Sequence, residues 1–139
     1  MPSPRHVLCL DADFASTCST AVDVMPDRNG VVLRLACLTA FTVVVDIEAA
    51  DALMDALRTG DIGAVLAHHD QRGRVLLGVR PHPLPGAPAA VELAPMELEL
   101  HLSPRHSVRL VFSRSRAHEL LQHLADARDV LSRVAGRRQ

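Results

Sequence analysis

Lysine, tyrosine and tryptophan are absent from this chain of 139 residues, and phenylalanine occurs only three times. Proteins that hold single-stranded nucleic acid stack bases on aromatic platforms, each stacked base contributing about 1–3 kcal/mol. Phe41 and Phe112 fall at core-phase positions of alternating stretches, which leaves Phe14 as the free platform. Charge of one sign is lacking too. Fifteen arginines meet sixteen acidic residues for a net charge of −1, so no strong field steers the chain to polyanions or anionic lipid. Cys9, Cys18 and Cys37 are odd in number and form no C-x-x-C pair, which speaks against a disulfide framework and for small core residues. Near the start, the apolar run Val7–Leu10 is too short for a signal-peptide core or a membrane span. A cytoplasmic protein without membrane insertion is expected. The abundance of Ala, Leu, Val and Arg matches a GC-rich bacterial genome.

What is present is alternation. Val31, Leu33, Leu35 and Cys37 alternate with Val32, Arg34 and Ala36 as a strand; Leu38-Thr39-Ala40 turns, and Phe41, Val43 and Val45 alternate through the next. The spacing then becomes helical at Ala50, Leu53, Met54 and Leu57, and Gly60 stands where a C-terminal cap belongs. The same order returns later. Leu98, Leu100 and Leu102 alternate, Ser103-Pro104-Arg105 turns, and Val108, Leu110 and Phe112 make a strand. A longer helix follows with the stripe Ala117, Leu120, Leu121, Leu124, Leu131 and Val134, opened by Ser113 or Ser115 and closed by Arg137 and Arg138.

A constant shift of 67 (98 − 31) carries the first stretch onto the second: Val31 to Leu98, Phe41 to Val108, Ala50 to Ala117 and Leu57 to Leu124. Turn length, strand-to-helix distance and helix phase are kept together, which favours an internal duplication over coincidence. Two more strands precede each stretch: His6–Ala12 and Ser19–Met25, with the turn Pro26-Asp27-Arg28-Asn29-Gly30, and Ile62–His69 and Arg74–Arg80, joined by Asp70-Gln71-Arg72-Gly73. The expected fold is therefore α+β, a single domain over 1–139. It comprises two β-β-β-β-α units at about 6–60 and 61–135, with antiparallel sheets packed against two helices. Pro81–Pro88 is a stiff proline-rich loop within the second unit rather than a linker or a PxxP ligand.

Chemistry-bearing patterns are sparse. His68-His69-Asp70 sits at a hairpin tip, where neighbouring side chains point to opposite faces. His118 and His123 lie five apart, about 140° around a helix, not at the i, i+4 spacing of a zinc pair. Asp11 and Asp13 share one face of a strand end, near Cys9 and His6, and are read as solvated turn residues. Gly60 and Gly63 lack the pattern of a phosphate loop, and no G-x-S-x-G elbow is present. Cys18 or Ser19 beside His6 or His106 is a pairing that any chain with eight histidines offers. Neither enzymatic activity, metal nor cofactor is expected. The candidate interaction surface is Phe14 with Arg72, Arg74, Arg80, Arg105 and Arg109, although Glu92, Glu97 and Glu99 lie near these arginines in sequence.

The repeated four-strand-plus-helix plan resembles the whirly and PUR-type folds. Within that group Phe41-Thr42-Val43-Val44-Val45, running into Ala52-Leu53-Met54-Asp55-Ala56-Leu57 and then Gly60-Asp61-Ile62, resembles the SsgA-like sporulation-specific cell division proteins of actinobacteria. The last helix, Leu120 to Leu131, is similar to that family's final helix. Val44 or Val45 replaces the aromatic that the family carries before its first helix, and the aromatic-arginine step into that helix is missing. The resemblance implies a non-enzymatic homo-oligomer that helps place the septation machinery, FtsZ included. A single-stranded nucleic-acid binder of whirly or PUR type is the alternative that the fold plan leaves open.

Overall fold

A computed structural model of the chain describes residues 5–11, 19–27, 30–36, 40–81 and 95–137. The elements are β1 (Arg5–Asp11), β2 (Ser19–Asp27), β3 (Gly30–Ala36), β4 (Ala40–Val45), α1 (Ile47–Thr59), β5 (Gly63–His69), β6 (Gly73–Pro81), β7 (Met96–Ser103), β8 (His106–Phe112) and α2 (Arg114–Arg137). The class is α+β, as the alternating and helical spacings predict.

One expectation needs correcting. The strands do not form separate sheets: each pairs antiparallel with the next, and β8 returns to β1 to close one barrel. Two of the seams are thin. Among the described residues β4 meets β5 only at Val43↔His69 and Val44↔His68, and β8 meets β1 only at Leu110↔Asp11 and Val111↔Leu10. A barrel leaves no free sheet edge along its closed seams, and closure here depends on these short contacts. A second correction concerns the turn before β3. β2 runs on to Asp27, which pairs with Gly30, so Pro26, Asp27 and Gly30 of the predicted five-residue turn belong to paired strands, and Arg28 and Asn29 lie outside the described residues.

The registers also revise the internal match. The constant shift of 67 would carry the pair Val31↔Val45 onto Leu98↔Phe112, but Leu98 pairs with Leu110 and Phe112 with Met96. The difference arises in the hairpins. Positions 37–39 join β3 to β4, whereas Pro104 and Arg105 join β7 to β8 beside a register irregularity between His101 and Ser103.

Valine and leucine at alternate positions turn one face of the sheet inward. Val31, Leu33, Leu35, Leu77, Leu100, Leu110 and Phe112 are essentially without solvent contact. The helices complete this core with Ala50, Leu53, Met54, Ala56 and Leu57 from α1 and Ala117, Leu120, Leu124 and Ala127 from α2. Across the helix pair, Arg128 holds Asp51 through two hydrogen bonds, Nε–Oδ1 at 3.0 Å and Nη2–Oδ2 at 3.4 Å. That contact raises the Arg128 pKa.

The helix ends follow their capping residues. Asp46 accepts the Ala49 N–H at 2.7 Å, and Gly60 adopts φ 72°, sending its own N–H back to the Ala56 carbonyl. Ser113, rather than Ser115, accepts the Arg116 N–H at the start of α2. Asp46→Ala leaves the α1 donor unmatched and is expected to cost about 1 kcal/mol, read as a lower urea midpoint at unchanged slope.

Candidate interaction surface

The outward face of β6, β7 and β8 is read from their registers. Arg80, Glu97 and Val111 lie in one row; Gly78, Glu99 and Arg109 in the next; Leu76, His101 and Ser107 in the third. Glu97 therefore faces Arg80 directly and reaches Arg109 on the diagonal. Its carboxylate accepts from Arg80 Nε at 2.5 Å on one oxygen, and from Arg109 Nε and Nη2 at 3.1 and 2.8 Å on the other. The Glu97 side chain has no exposure at all. Burial raises the pKa of its carboxyl, but the hydrogen bonds and charges of Arg109 and Arg80 outweigh that and hold it below the ordinary value. In the next row Glu99 sits 3.0 Å from His101 Nε2 and 3.9 Å from Arg80 Nη2.

This arrangement divides the arginine set read from the sequence. Arg80 and Arg109 are joined through Glu97 rather than aimed at a ligand. Arg72 is exposed on the β5–β6 turn and donates to the Leu102 carbonyl at 3.3 Å. Arg105 is exposed on the β7–β8 turn and Arg74 on the outward side of β6. The antiparallel order puts both turns at the same end of the barrel, but the five arginines form no single patch. Phe14, Cys18, Cys37 and Glu92 lie outside the described residues.

At that same end Phe41 is only half buried, not the closed core residue its strand phase predicts. Its ring lies 6.3 Å from that of His69 and 6.2 Å from that of His106. His68 and His69 do point to opposite faces, His68 outward and His69 inward, and His69 Nδ1 accepts the backbone N–H groups of Gln71 and Arg72. Cys9 is buried. Among the described residues no three His, Cys, Asp or Glu side chains converge as a metal set.

A cleft of about 650 Å³ lies where the last turn of α1 meets the first turn of α2, lined by Leu57, Ala117 and Leu121 below Arg58, Arg114 and His118. Arg58 is already held by Asp55 at 2.9 Å. His123 faces elsewhere, with its Nδ1 buried and lacking a hydrogen-bond partner among the described residues.

Sequence reasoning passed over the most exposed apolar side chains. Ile62, Leu66 and Leu76 are 77%, 59% and 42% exposed. Leu66 and Leu76 pair directly across β5 and β6 on the outward face. The alternation of β5 hides this, because Ala64 and Leu66 on one face are as apolar as Val65 and Ala67 on the other. Among the described residues no helix is long and apolar enough to cross a membrane. Compared with protein-family models, curated proteins and solved structures, the chain matches none.

Proposed function

We propose that this chain is a non-enzymatic, homo-oligomeric protein-interaction module of the bacterial cytoplasm, acting in cell division or sporulation through a protein partner in the division machinery. One observation carries the reading: Leu66 and Leu76 stand side by side in solvent on the strands of a well-paired hairpin. Large apolar side chains set together on a rigid sheet mark a surface that another protein covers. The resemblance to the SsgA-like proteins supplies the biological setting. The fold half of that resemblance is two β-β-β-β-α units in a whirly or PUR-like plan. It is supported by the element order and by the two thin seams, which use equivalent residues under shifts of 67 (110 − 43) in β8 and 58 (69 − 11) in β5. Single-strand binding draws less support, since Glu97 engages two of the five arginines that would meet phosphate and offsets part of their charge.

The test is mass in solution. Light scattering and sedimentation equilibrium on the full chain are expected to give a discrete oligomer at tens of micromolar. A monomer at every concentration up to the millimolar range sinks the reading.

A further inference from the structure

We infer that the outward face of β5–β7 is a self-complementary interface on which a second copy of this chain docks about a twofold axis. The inference rests on the oligomeric reading above and names its surface and geometry. Along the hairpin two rows alternate in size. Leu66 and Leu76 make a ridge, and one row away, about 7 Å along the strands, Ala64 and Gly78 make a shallow trough. Ala64 is exposed and Gly78 partly so, so the trough is open to a partner.

A twofold axis running across the strands between these rows exchanges them. Leu66 of one copy then stands over Ala64 of the other, Leu76 over Gly78, and each ridge fills the opposite trough twice over. Such matching of a patch with itself is what an isologous dimer requires. Hydrogen-bonding groups follow the same operation. In β7, His101 shares the ridge row and Glu99 shares the trough row. The axis therefore sets each His101 opposite the partner's Glu99, extending the 3.0 Å contact within one chain into a ring of four groups. Arg74 falls opposite the partner's Arg80, whose charge is offset within its own chain by Glu97, shared with Arg109, and by Glu99 at 3.9 Å. A heterologous partner would have no reason to mirror both the size pattern and the His101–Glu99 pairing of this face.

Two variants of the full chain test the geometry. Leu66→Arg replaces an exposed side chain, so the fold is expected to survive. Each dimer carries the change twice, which is expected to weaken dimerisation by about 100-fold or more in sedimentation equilibrium. The double variant Ala64→Cys with Leu66→Cys places its two thiols too far apart along one strand to bond within a chain. Mild oxidation is expected to give a covalent dimer whose junction, mapped by mass spectrometry, joins position 64 of one chain to position 66 of the other. An oligomer that persists unchanged in Leu66→Arg, or a junction at other positions, overturns this interface while leaving the oligomeric reading intact. A parent protein that is monomeric throughout overturns both.

Discussion

Glu97→Ala is expected to lower the free energy of unfolding by about 1.5–3 kcal/mol, less than the loss from a fully buried ion pair because the Arg80 and Arg109 side chains left behind are 48% and 32% exposed. The carboxylate is enclosed, and it is the shared acceptor that lets Arg80 and Arg109 lie together on adjacent rows of one sheet face. Its loss leaves two guanidinium groups facing each other over a small cavity. Glu97→Gln keeps the shape and removes the charge, so comparing the two separates packing from electrostatics. The pH dependence has a definite sign. The Glu97 carboxyl is held below its ordinary value of 4.5 in the folded chain, so the unfolded chain takes up the proton first as acid is added. The stabilisation is complete above 4.5 and fades as pH falls through the depressed folded value. Urea midpoints at neutral pH and near pH 3 check this: the gap between the parent and Glu97→Gln is expected to shrink on acidification. A gap that stays constant would show that the carboxylate charge contributes nothing to the clamp.

The strands and helices were legible because their apolar spacing is regular, and Asp46, Gly60 and Ser113 mark helix ends with local chemistry that a sequence displays. Barrel closure was not legible. It depends on two pairings at each thin seam, Val43 and Val44 with His69 and His68, Leu110 and Val111 with Asp11 and Leu10, and no local pattern announces a pairing between distant strands. The register of the internal match was hidden for a different reason. Sliding a strand by two residues keeps every side chain on its own face, so alternation cannot tell whether Phe112 pairs with Leu98 or with Met96. Only the hairpin length and the irregularity at His101 and Ser103 decide between them. The arginines illustrate the same limit. Sequence proximity sets Glu97 and Glu99 near the basic set, but the ladder is what places Glu97 between Arg80 and Arg109 while leaving Arg72, Arg74 and Arg105 exposed.

Gly30→Ala is expected to be the most disruptive change of a single methyl group in the barrel, costing about 3 kcal/mol or more, at the top of the range for overpacking. Gly30 opens β3 and is paired with Asp27 across the β2–β3 hairpin, and it is buried. A Cβ on it would lie 2.0 Å from the Val45 carbonyl oxygen and 2.8 Å from the carbonyl carbon. Those are backbone atoms at the end of β4, with no rotamer by which to move aside. They are followed at once by Asp46, whose side chain caps α1. Relief therefore requires β3 and β4 to separate at the Val31↔Val45 pair, which carries two fully buried side chains, or the cap of α1 to shift. Gly73→Ala supplies the control. Gly73 also has positive φ, at 72°, but a Cβ there meets nothing within 4 Å. It pays only the left-handed backbone cost of about 1–2 kcal/mol. Thermal or urea unfolding of the two variants is expected to rank Gly30→Ala well below Gly73→Ala. Equal stability in the two would mean that β3 and β4 do not approach as closely at Val45 as the barrel requires.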